Sequence, residues 1–205
     1  MKTNPFLPTY FFDLSSVKAR NIFKNITFVW QVLPLLEPFL KKKMIGRQLI
    51  LGKGSEIEKS AAIKGKIMIG EDSYVGNACL LRGNVIIGNN CRIGHAVELK
   101  NCLILNNSNI AHLNYVGDSI IGSNVNISGG AILANFRLDK KRVFIKKANQ
   151  KIPTGLKKFG SVIGDYSNVG VNAVLNPGTI LGKETIIYPL SLVTGYHKSG
   201  EIIKR

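Results

Sequence analysis

Four residues in the middle of this chain have side chains that could take part in catalysis or binding. His112 and Tyr115 lie three residues apart, and Arg82 and Lys100 lie eighteen residues apart. An imidazole can accept a proton from an attacking amine or hydroxyl, and a phenol can orient such a group by hydrogen bonding. Two cations can hold a phosphate. Whether the four side chains act together depends on the elements that position them.

The chain around these residues repeats with a period of six. Aliphatic residues recur at every sixth position, with two five-residue steps and one longer interruption. They are Leu51, Ile57, Ile63, Ile69, Val75, Leu81, Ile87, Ile93, Leu99, Ile104, Ile110, Val116, Ile121, Ile127, Leu133, Ile163, Val169, Leu175, Leu181 and Ile187. Neither an α-helix nor an alternating strand produces this spacing. A hexapeptide repeat predicts an all-β fold, the left-handed parallel β-helix, in which these side chains stack inside a triangular prism.

Two segments lie outside the repeat. Residues 1–46 are predicted to form a short helical region, with a helix capped at Ser15 or Ser16 and broken or kinked at Pro34. Residues 134–160 interrupt the coils with nine Lys or Arg and one Asp, and their apolar runs predict an exposed hairpin arm. The coils are expected to span 47–193, followed by a C-terminal tail at 194–205.

The composition narrows the class of protein. A formal charge of +16, from 28 Lys and Arg against 12 Asp and Glu, predicts an anionic partner such as a sugar phosphate, a membrane surface or nucleic acid. The three cysteines, Cys79, Cys91 and Cys102, form no C-x-x-C pair, which argues against a disulfide framework and against a zinc site. We find neither a signal peptide nor a membrane-spanning run, so the sequence predicts a soluble cytoplasmic protein.

The register of the repeat predicts which residues are neighbours. Arg82 and Lys100 hold the same position one coil apart, and His95 and His112 also stack. Tyr115 follows His112 at the corner before the face that carries the two cations. We therefore expect Arg82, Lys100, His112 and Tyr115 to gather at one edge of the prism. Asn126 is placed one coil above Asn109, and Asn135 begins the basic interruption.

These residues occur in motifs that resemble a known family. The segment from Arg82 to Phe136, with "HLNYVGD", "NVNISGG" and "ANF", resembles the acetyltransferase half of bifunctional N-acetylglucosamine-1-phosphate uridyltransferases. After the interruption, "LKKFGSVIGDYSNVGVNAVLNPGTILG" is more similar to archaeal-type sugar-1-phosphate nucleotidyltransferases with an acetyltransferase domain. The resemblance covers residues 47–193 and is weak in the N-terminal region.

The resemblance implies an N-acetyltransferase that uses acetyl-CoA as co-substrate and an amino-sugar 1-phosphate, glucosamine 1-phosphate above all, as acceptor. His112 matches the catalytic base, and Asn135 matches a residue that positions the amine and the cofactor. The implied substrate ligands are Arg82, Lys100, Tyr115, Asn126 and Lys158. The implied acetyl-CoA contacts are Gly129, Asn135, Phe136, Val171 and Pro189. Phe136 stands where the bacterial members have tyrosine, so any role of that hydroxyl is lost.

The resemblance also implies a homotrimer whose sites lie between adjacent prisms, no metal requirement, and a place in UDP-N-acetylglucosamine and cell-envelope synthesis. These relatives carry a nucleotidyltransferase domain before the β-helix. Here residues 1–46 contain no glycine-rich nucleotide loop. Uridylyl transfer is therefore not expected, and a separate nucleotidyltransferase is the expected partner.

Three alternatives remain open from the sequence. The acceptor can be another amino sugar, including a nucleotide-linked one. A zinc carbonic anhydrase on the same fold needs three converging histidines, and this chain has only His95, His112 and His197. A non-catalytic trimeric scaffold or regulatory subunit can use the basic arm to bind a partner or a membrane surface. Nucleic acid is not expected, because the arm contains few aromatic residues for stacking and no recognised motif.

Overall fold

The structure is a computed structural model, which describes residues 4–204. The chain folds as the predicted left-handed parallel β-helix, in which each coil contributes short strands to three faces. Two α-helices precede the coils, α1 (Pro8–Phe11) and α2 (Leu36–Lys43), together with 3-10 helices at Arg20–Phe23 and Val29–Leu35.

The strands are short because each coil turns a corner after one hexapeptide. Up to the interruption they are β1 (Leu49–Leu51), β2 (Glu56–Ile57), β3 (Ala62–Ile69), β4 (Tyr74–Val75), β5 (Leu80–Ile87), β6 (Arg92–Ile93), β7 (Glu98–Ile104), β8 (Asn109–Ile110), β9 (Tyr115–Gly117), β10 (Ile120–Ile121), β11 (Asn126–Ile127) and β12 (Ile132–Leu133). The later strands are β13 (Phe144–Lys147), β14 (Gln150–Pro153), β15 (Ser161–Ile163), β16 (Asn168–Val169), β17 (Val174–Leu175), β18 (Thr179–Leu181), β19 (Ile186–Ile187), β20 (Leu192–Val193), β21 (Tyr196–His197) and β22 (Ile202–Ile203).

Three faces arise from the pairing of these strands. The first face consists of β1, β3, β5, β7, β10, β15, β18 and β21. The second consists of β2, β4, β6, β8, β11, β16, β19 and β22. The third consists of β3, β5, β7, β9, β12, β17 and β20, and the long strands β3, β5 and β7 bend around its corner with the first face.

The predicted register is confirmed on the third face. Ile63 pairs with Leu81, Leu81 with Leu99, and Leu99 with Val116. The aliphatic side chains of the repeat stack inside the prism, and Leu81, Leu99 and Val116 are completely buried. Branched aliphatic residues fit this position because they favour extended backbone and fill the narrow interior without polar atoms.

A second apolar core lies outside the prism, against the first face. The outward side chains of this face, such as Ile86, Leu103 and Ile120, are 0–2% exposed. They are covered by residues 4–47 and 134–160, which we call the outer layer. Aromatic contacts join its two parts, since Trp30 lies 6.4 Å from Phe159 between ring centroids.

The predicted short helical region is present before the coils, but the prediction of a helix capped at Ser15 or Ser16 is wrong. The described residues around Ser15 and Ser16 are turns, and Pro34 lies inside the 3-10 helix that precedes α2. The lysines at 41–43 form the last turn of α2. Contacts with the first face override helix propensity here, because the aromatic side chains must follow the surface of the sheet.

Two further expectations are corrected by strand pairing. The segment predicted as a tail continues the coils, because β21 pairs with β18 and β22 pairs with β19. The predicted hairpin in the interruption is present as antiparallel β13 and β14, but it is not an exposed arm. Val143 and Ile145 are 1% and 0% exposed, since they pack on the first face.

In the part of the chain that the structure covers, 4–204, no helix has both the length and the apolar character that crossing a bilayer requires.

Candidate functional site

Two paired cations occupy the outer surface of the third face. Arg82 and Lys100 are in register on β5 and β7, as predicted. Arg82 donates to Glu98 at 2.7 Å from Nε, and its second guanidinium contact to the same oxygen is 2.5 Å. Lys100 Nζ lies 2.7 Å from Asp118 Oδ2, and both of these side chains are 12% exposed. The Arg82 side chain is more accessible, at 39%.

Asp118 joins three elements of the fold. Its carboxylate accepts hydrogen bonds from Lys100 on β7, from Asn101 at 3.3 Å, and from the Asn135 side chain at the start of the interruption. Asn135 is buried at 8% exposed, and its backbone carbonyl accepts from Phe159 N at 2.9 Å. The two ends of the interruption are therefore fastened beside the paired cations.

Tyr115 completes this cluster because Gly117 has no side chain. A Cβ at Gly117 would lie 2.5 Å from the Tyr115 hydroxyl and 2.7 Å from Asn135 Nδ2. Burial raises the pKa of Tyr115, and the nearby Asp118 carboxylate raises it further. The phenol therefore stays protonated at neutral pH, so it can donate a hydrogen bond to a ligand.

His112 lies at the corner between the second and third faces. Its ring packs on Gly129 of the next coil, where a Cβ would lie 2.5 Å from Nε2. The ring is exposed, and within residues 4–204 neither of its nitrogens has a hydrogen-bond partner. His95 occupies the same corner one coil below, as predicted, but its Nδ1 lies 3.1 Å from Asn77 Oδ1. Of these two histidines, only His112 has both ring nitrogens without a hydrogen-bond partner among residues 4–204.

Five of the expected site residues fall into two groups along the third face. Arg82, Lys100, Tyr115 and Asn135 form a connected cluster. His112 lies on the other side of Tyr115, at the opposite margin of the third face from the paired cations. The sequence predicted all of these side chains at one edge, whereas the structure spreads them across the width of a short strand.

Lys158 reaches the cluster from the far end of the interruption. Together with Asn84, Asn101 and Asp118 it lines a cleft of about 230 Å³ under the N-terminal segment. Asn126 lies elsewhere, in the middle of the second face, where its side-chain oxygen accepts from Asn109 at 2.8 Å. The predicted stacking of Asn126 on Asn109 is thus present, but away from the cluster.

The residues matched to acetyl-CoA contacts also divide. Gly129, Val171 and Pro189 form a column that continues upward from His112, since Asn172 N donates to Gly129 O at 3.0 Å and the next coil repeats this bond to Val171 O. Val171 is 47% exposed. Asn135 and Phe136 lie at the corner between the third and first faces instead, and Phe136 lines a hollow beneath the loop of the interruption.

Sequence reasoning missed the two carboxylates, Glu98 and Asp118. The register contained the signal for both, because Glu98 pairs with Tyr115 and Asp118 directly follows Gly117, the register partner of Lys100. Acidic residues are few in this chain. Two of them nevertheless form ion pairs with Arg82 and Lys100, the two predicted phosphate ligands, and offset their positive charge.

The three histidines do not converge. His197 lies on the first face, where Nδ1 is 2.9 Å from Glu201 Oε1. Among the residues from 4 to 204, no three His, Cys, Asp or Glu side chains are grouped as metal ligands. The free thiols of Cys79, Cys91 and Cys102 are buried inside the prism, and burial raises the pKa of Cys91 to about 11.

Comparison with known proteins places this chain in a family. The model of the GMPPB C-terminal domain matches residues 63–186. The bifunctional sugar-1-phosphate nucleotidylyltransferase/acetyltransferase of Sulfurisphaera tokodaii is 36% identical over 107 residues, which cover 52% of this chain and 27% of that protein. The bifunctional protein GlmU of Methanococcus vannielii is 41% identical over 90 residues, covering 44% of this chain and 22% of that protein. The chain therefore spans about a quarter of the length of these relatives.

Solved structures give weaker similarity. AntD, an N-acyltransferase from Bacillus cereus in complex with dTDP and 3-hydroxybutyryl-CoA, aligns with a TM-score of 0.42 at 20% identity, covering 81% of each chain. The polySia-specific acetyltransferase NeuO aligns with a TM-score of 0.48 at 19% identity, covering 74% of each chain.

The sequence matches confirm the resemblance inferred from "HLNYVGD" and its neighbouring motifs. Because the matched residues 63–186 make up more than half of the chain, this protein belongs to the GMPPB C-terminal domain family.

Proposed function

We propose that this chain transfers the acetyl group of acetyl-CoA to the amine of an amino-sugar 1-phosphate, with glucosamine 1-phosphate as the first acceptor to test. The observation that carries the proposal is an exposed imidazole with free nitrogens at the margin of a face that also holds a buried cation–carboxylate–amide cluster. The matched relatives include a protein named as a nucleotidylyltransferase/acetyltransferase, which supports the reaction class.

The chemistry assigns one step to His112. The amine nitrogen of the acceptor attacks the thioester carbonyl carbon, and the neutral imidazole accepts the proton that the amine loses. The tetrahedral intermediate then collapses with cleavage of the C–S bond. The departing thiolate of coenzyme A takes a proton from the imidazolium, so the enzyme returns to its starting state.

The ion pairs refine the roles of the two cations. Lys100 is mostly buried and already bonded to Asp118, so its part is to hold the Asp118 carboxylate and, through it, the Asn135 side chain. Arg82 is more exposed, and a guanidinium has five donors, of which Glu98 uses only some. Arg82 is therefore the direct phosphate ligand, and Tyr115 donates to a sugar oxygen.

The cofactor residues support a site shared between copies of the chain. The column of Gly129, Val171 and Pro189 offers a strip of small and apolar surface beside His112, which suits the pantetheine arm of acetyl-CoA. Asn135 and Phe136 lie at a different corner, so both groups contact one cofactor only when two prisms pack side by side. A homotrimer provides this arrangement three times.

An acetyl-transfer assay tests the proposed base. With acetyl-CoA and glucosamine 1-phosphate, free thiol release is expected from the wild type, and His112→Ala should lower kcat/KM by about 10²–10⁴-fold. His95→Ala is the matched control, because it removes an imidazole from the same corner one coil below. Unchanged turnover in His112→Ala would refute the assigned base.

A subunit-mixing experiment tests the shared site. We expect chains carrying His112→Ala and chains carrying Arg82→Ala to be nearly inactive alone. If each site takes these two residues from different copies, mixed oligomers regain part of the wild-type activity. No recovery after exchange between differently tagged chains, with mixed oligomers shown by copurification of both tags, would place both residues of a site on one chain.

A further inference from the structure

The positive charge of the protein is concentrated in the outer layer. Residues 4–47 and 134–160 contain sixteen Lys and Arg and three Asp and Glu, a net charge of +13. The coils, residues 48–133 and 161–205, contain eleven basic and nine acidic residues, a net charge of +2. The β-helix is thus close to neutral, whereas the material that covers its first face is strongly basic.

The layer also carries the two most exposed large apolar side chains among the described residues. Leu138 is 100% exposed and Ile45 is 84% exposed. Cations surround each of them in the sequence. Those beside Ile45 are Lys41, Lys42, Lys43 and Arg47. Those beside Leu138 are Arg137, Lys140, Lys141 and Arg142.

Ile45 and Leu138 lie in segments that border the same corner of the prism. Gly46 and Arg47, which follow Ile45, share a hollow with Gly65 and Gly83, where the third face turns into the first. Leu138 shares another hollow with Asn176 and Thr194, at the same corner several coils higher. A flat surface along this corner can therefore contact the side chains of both Ile45 and Leu138.

The chemistry of the layer suits lipid headgroups better than nucleic acid. Twelve of its sixteen basic residues are lysines, which act as point charges rather than as planar donors for bases. Nonspecific binding of single strands relies on open aromatic stacking surfaces. Among the described aromatic side chains of this layer, only Tyr10 and Phe136 are exposed, at 46% and 39%. The ring of Phe144 is covered by Arg137 at 4.4 Å and by Lys151 at 5.2 Å.

We propose that the outer layer docks the protein on an anionic lipid bilayer. Lysines and arginines of the layer bind the negative headgroups, and Ile45 and Leu138 insert among them as two shallow apolar anchors. Both side chains are nearly or fully in water in the isolated chain, so insertion removes apolar surface that folding leaves uncovered. Docking does not depend on acetyl transfer, although Leu138 lines the same hollow as Phe136, which the proposed function places near acetyl-CoA.

Cosedimentation with vesicles tests the proposal on the full chain. The protein is expected to bind vesicles of phosphatidylserine and phosphatidylcholine and not vesicles of phosphatidylcholine alone, with binding that weakens as salt is added. Replacing Lys42, Lys43 and Arg47 by Gln removes three exposed cations that have no ion pair among the described residues. We expect this triple variant to bind about 100-fold more weakly.

Matched variants separate docking from simple charge attraction. Replacing Lys53, Lys59 and Lys198 of the coils by Gln changes the net charge equally and should leave binding within about threefold of the wild type. Ile45→Ser and Leu138→Ser should each weaken binding about tenfold, because each removes an inserted apolar side chain. Unchanged melting temperatures show that these exposed substitutions leave the fold intact.

Two results would overturn the proposal. One is an equal loss of vesicle binding in the layer and coil triple variants. The other is full binding by Ile45→Ser and Leu138→Ser together with release of the protein from vesicles by RNA, which would assign the layer to nucleic acid.

Discussion

The first and third faces of the prism have the same interior and opposite exteriors. Inside, both stack aliphatic residues at the same hexapeptide position. Outside, the first face presents Ile86, Leu103 and Ile120, which the outer layer covers. The third face presents Arg82 and Tyr115, which are partly exposed to a ligand, beside the mostly buried Lys100. The difference shows that the repeat builds the scaffold and that the outward positions decide what each face contacts.

The largest expected effect is on the free energy of unfolding, when an outward aliphatic residue is shortened on the first face and, for comparison, on the third. Ile120→Ala should lower the free energy of unfolding by about 2–5 kcal/mol, because it opens a cavity under the outer layer. Leu192→Ala on the third face should change it by less than about 0.5 kcal/mol, since Leu192 is 71% exposed. Denaturant unfolding measures both. A large loss of unfolding free energy in Leu192→Ala would show that another copy of the chain covers the third face.

The two ion pairs of the third face should differ in the same way. Asp118→Asn leaves the mostly buried Lys100 ammonium without a carboxylate and should cost about 2–3 kcal/mol of unfolding free energy. Glu98→Gln breaks a more exposed pair and should cost less than about 1 kcal/mol.

A double variant checks the reason for the Asp118 effect. Lys100→Met together with Asp118→Asn should recover most of the loss, because no unpaired charge is then buried. If the double variant is as unstable as Asp118→Asn alone, the hydrogen bond to Asn135 rather than the ion pair sustains this part of the face.

A third prediction tests how closely the corner fixes the imidazole. Gly129→Ala places a methyl group where the His112 ring lies, 2.5 Å from Nε2, so the ring must move. We expect kcat/KM for acetyl transfer to fall about 10–100-fold with little change in unfolding free energy. In a His112→Ala background the same substitution should have no further effect. An equal loss in both backgrounds would mean that Gly129 acts on the cofactor rather than on the ring.

The smallest expected effect concerns the attachment of the outer layer. Asp165 is 1% exposed and accepts hydrogen bonds from Asp13 N at 2.6 Å and Ser123 N at 2.7 Å. Burial raises the pKa of Asp165 above its ordinary 3.8. The unfolded chain therefore releases this proton at lower pH than the folded chain does, so the contribution of Asp165 to stability is fully present below 3.8 and declines as the pH rises through the raised pKa.

Unfolding measured between acid and neutral pH isolates this contribution. Asp165→Asn is expected to lack the decline, so the stability difference between wild type and variant changes by at most about 1.4 kcal/mol per pH unit. A difference that stays constant across this range would show that Asp165 has the same pKa in both states.

Much of the site could be predicted from the repeat. Once the six-residue period is known, counting along the sequence gives the residues that lie above one another in successive coils. The stacking of Arg82 on Lys100 and of His95 near His112 follows from that count and is confirmed. The count does not give the pairing of Lys100 with Asp118, since side-chain direction at a corner depends on the local backbone. The count does not place Asn135 either, because its position is set where the chain leaves the coils, and only the family resemblance pointed to this residue.

The sequence alone determined the interior of this protein. A branched aliphatic residue at every sixth position excludes other periods and specifies three faces with one shared core. Only the tertiary structure decided the exteriors: the N-terminal segment and the hairpin cover the first face, the tail adds further coils, and His112 lies across the third face from the cations. The physical reason is that inward positions are fixed by neighbours in the repeat, whereas outward burial depends on segments far away in the chain.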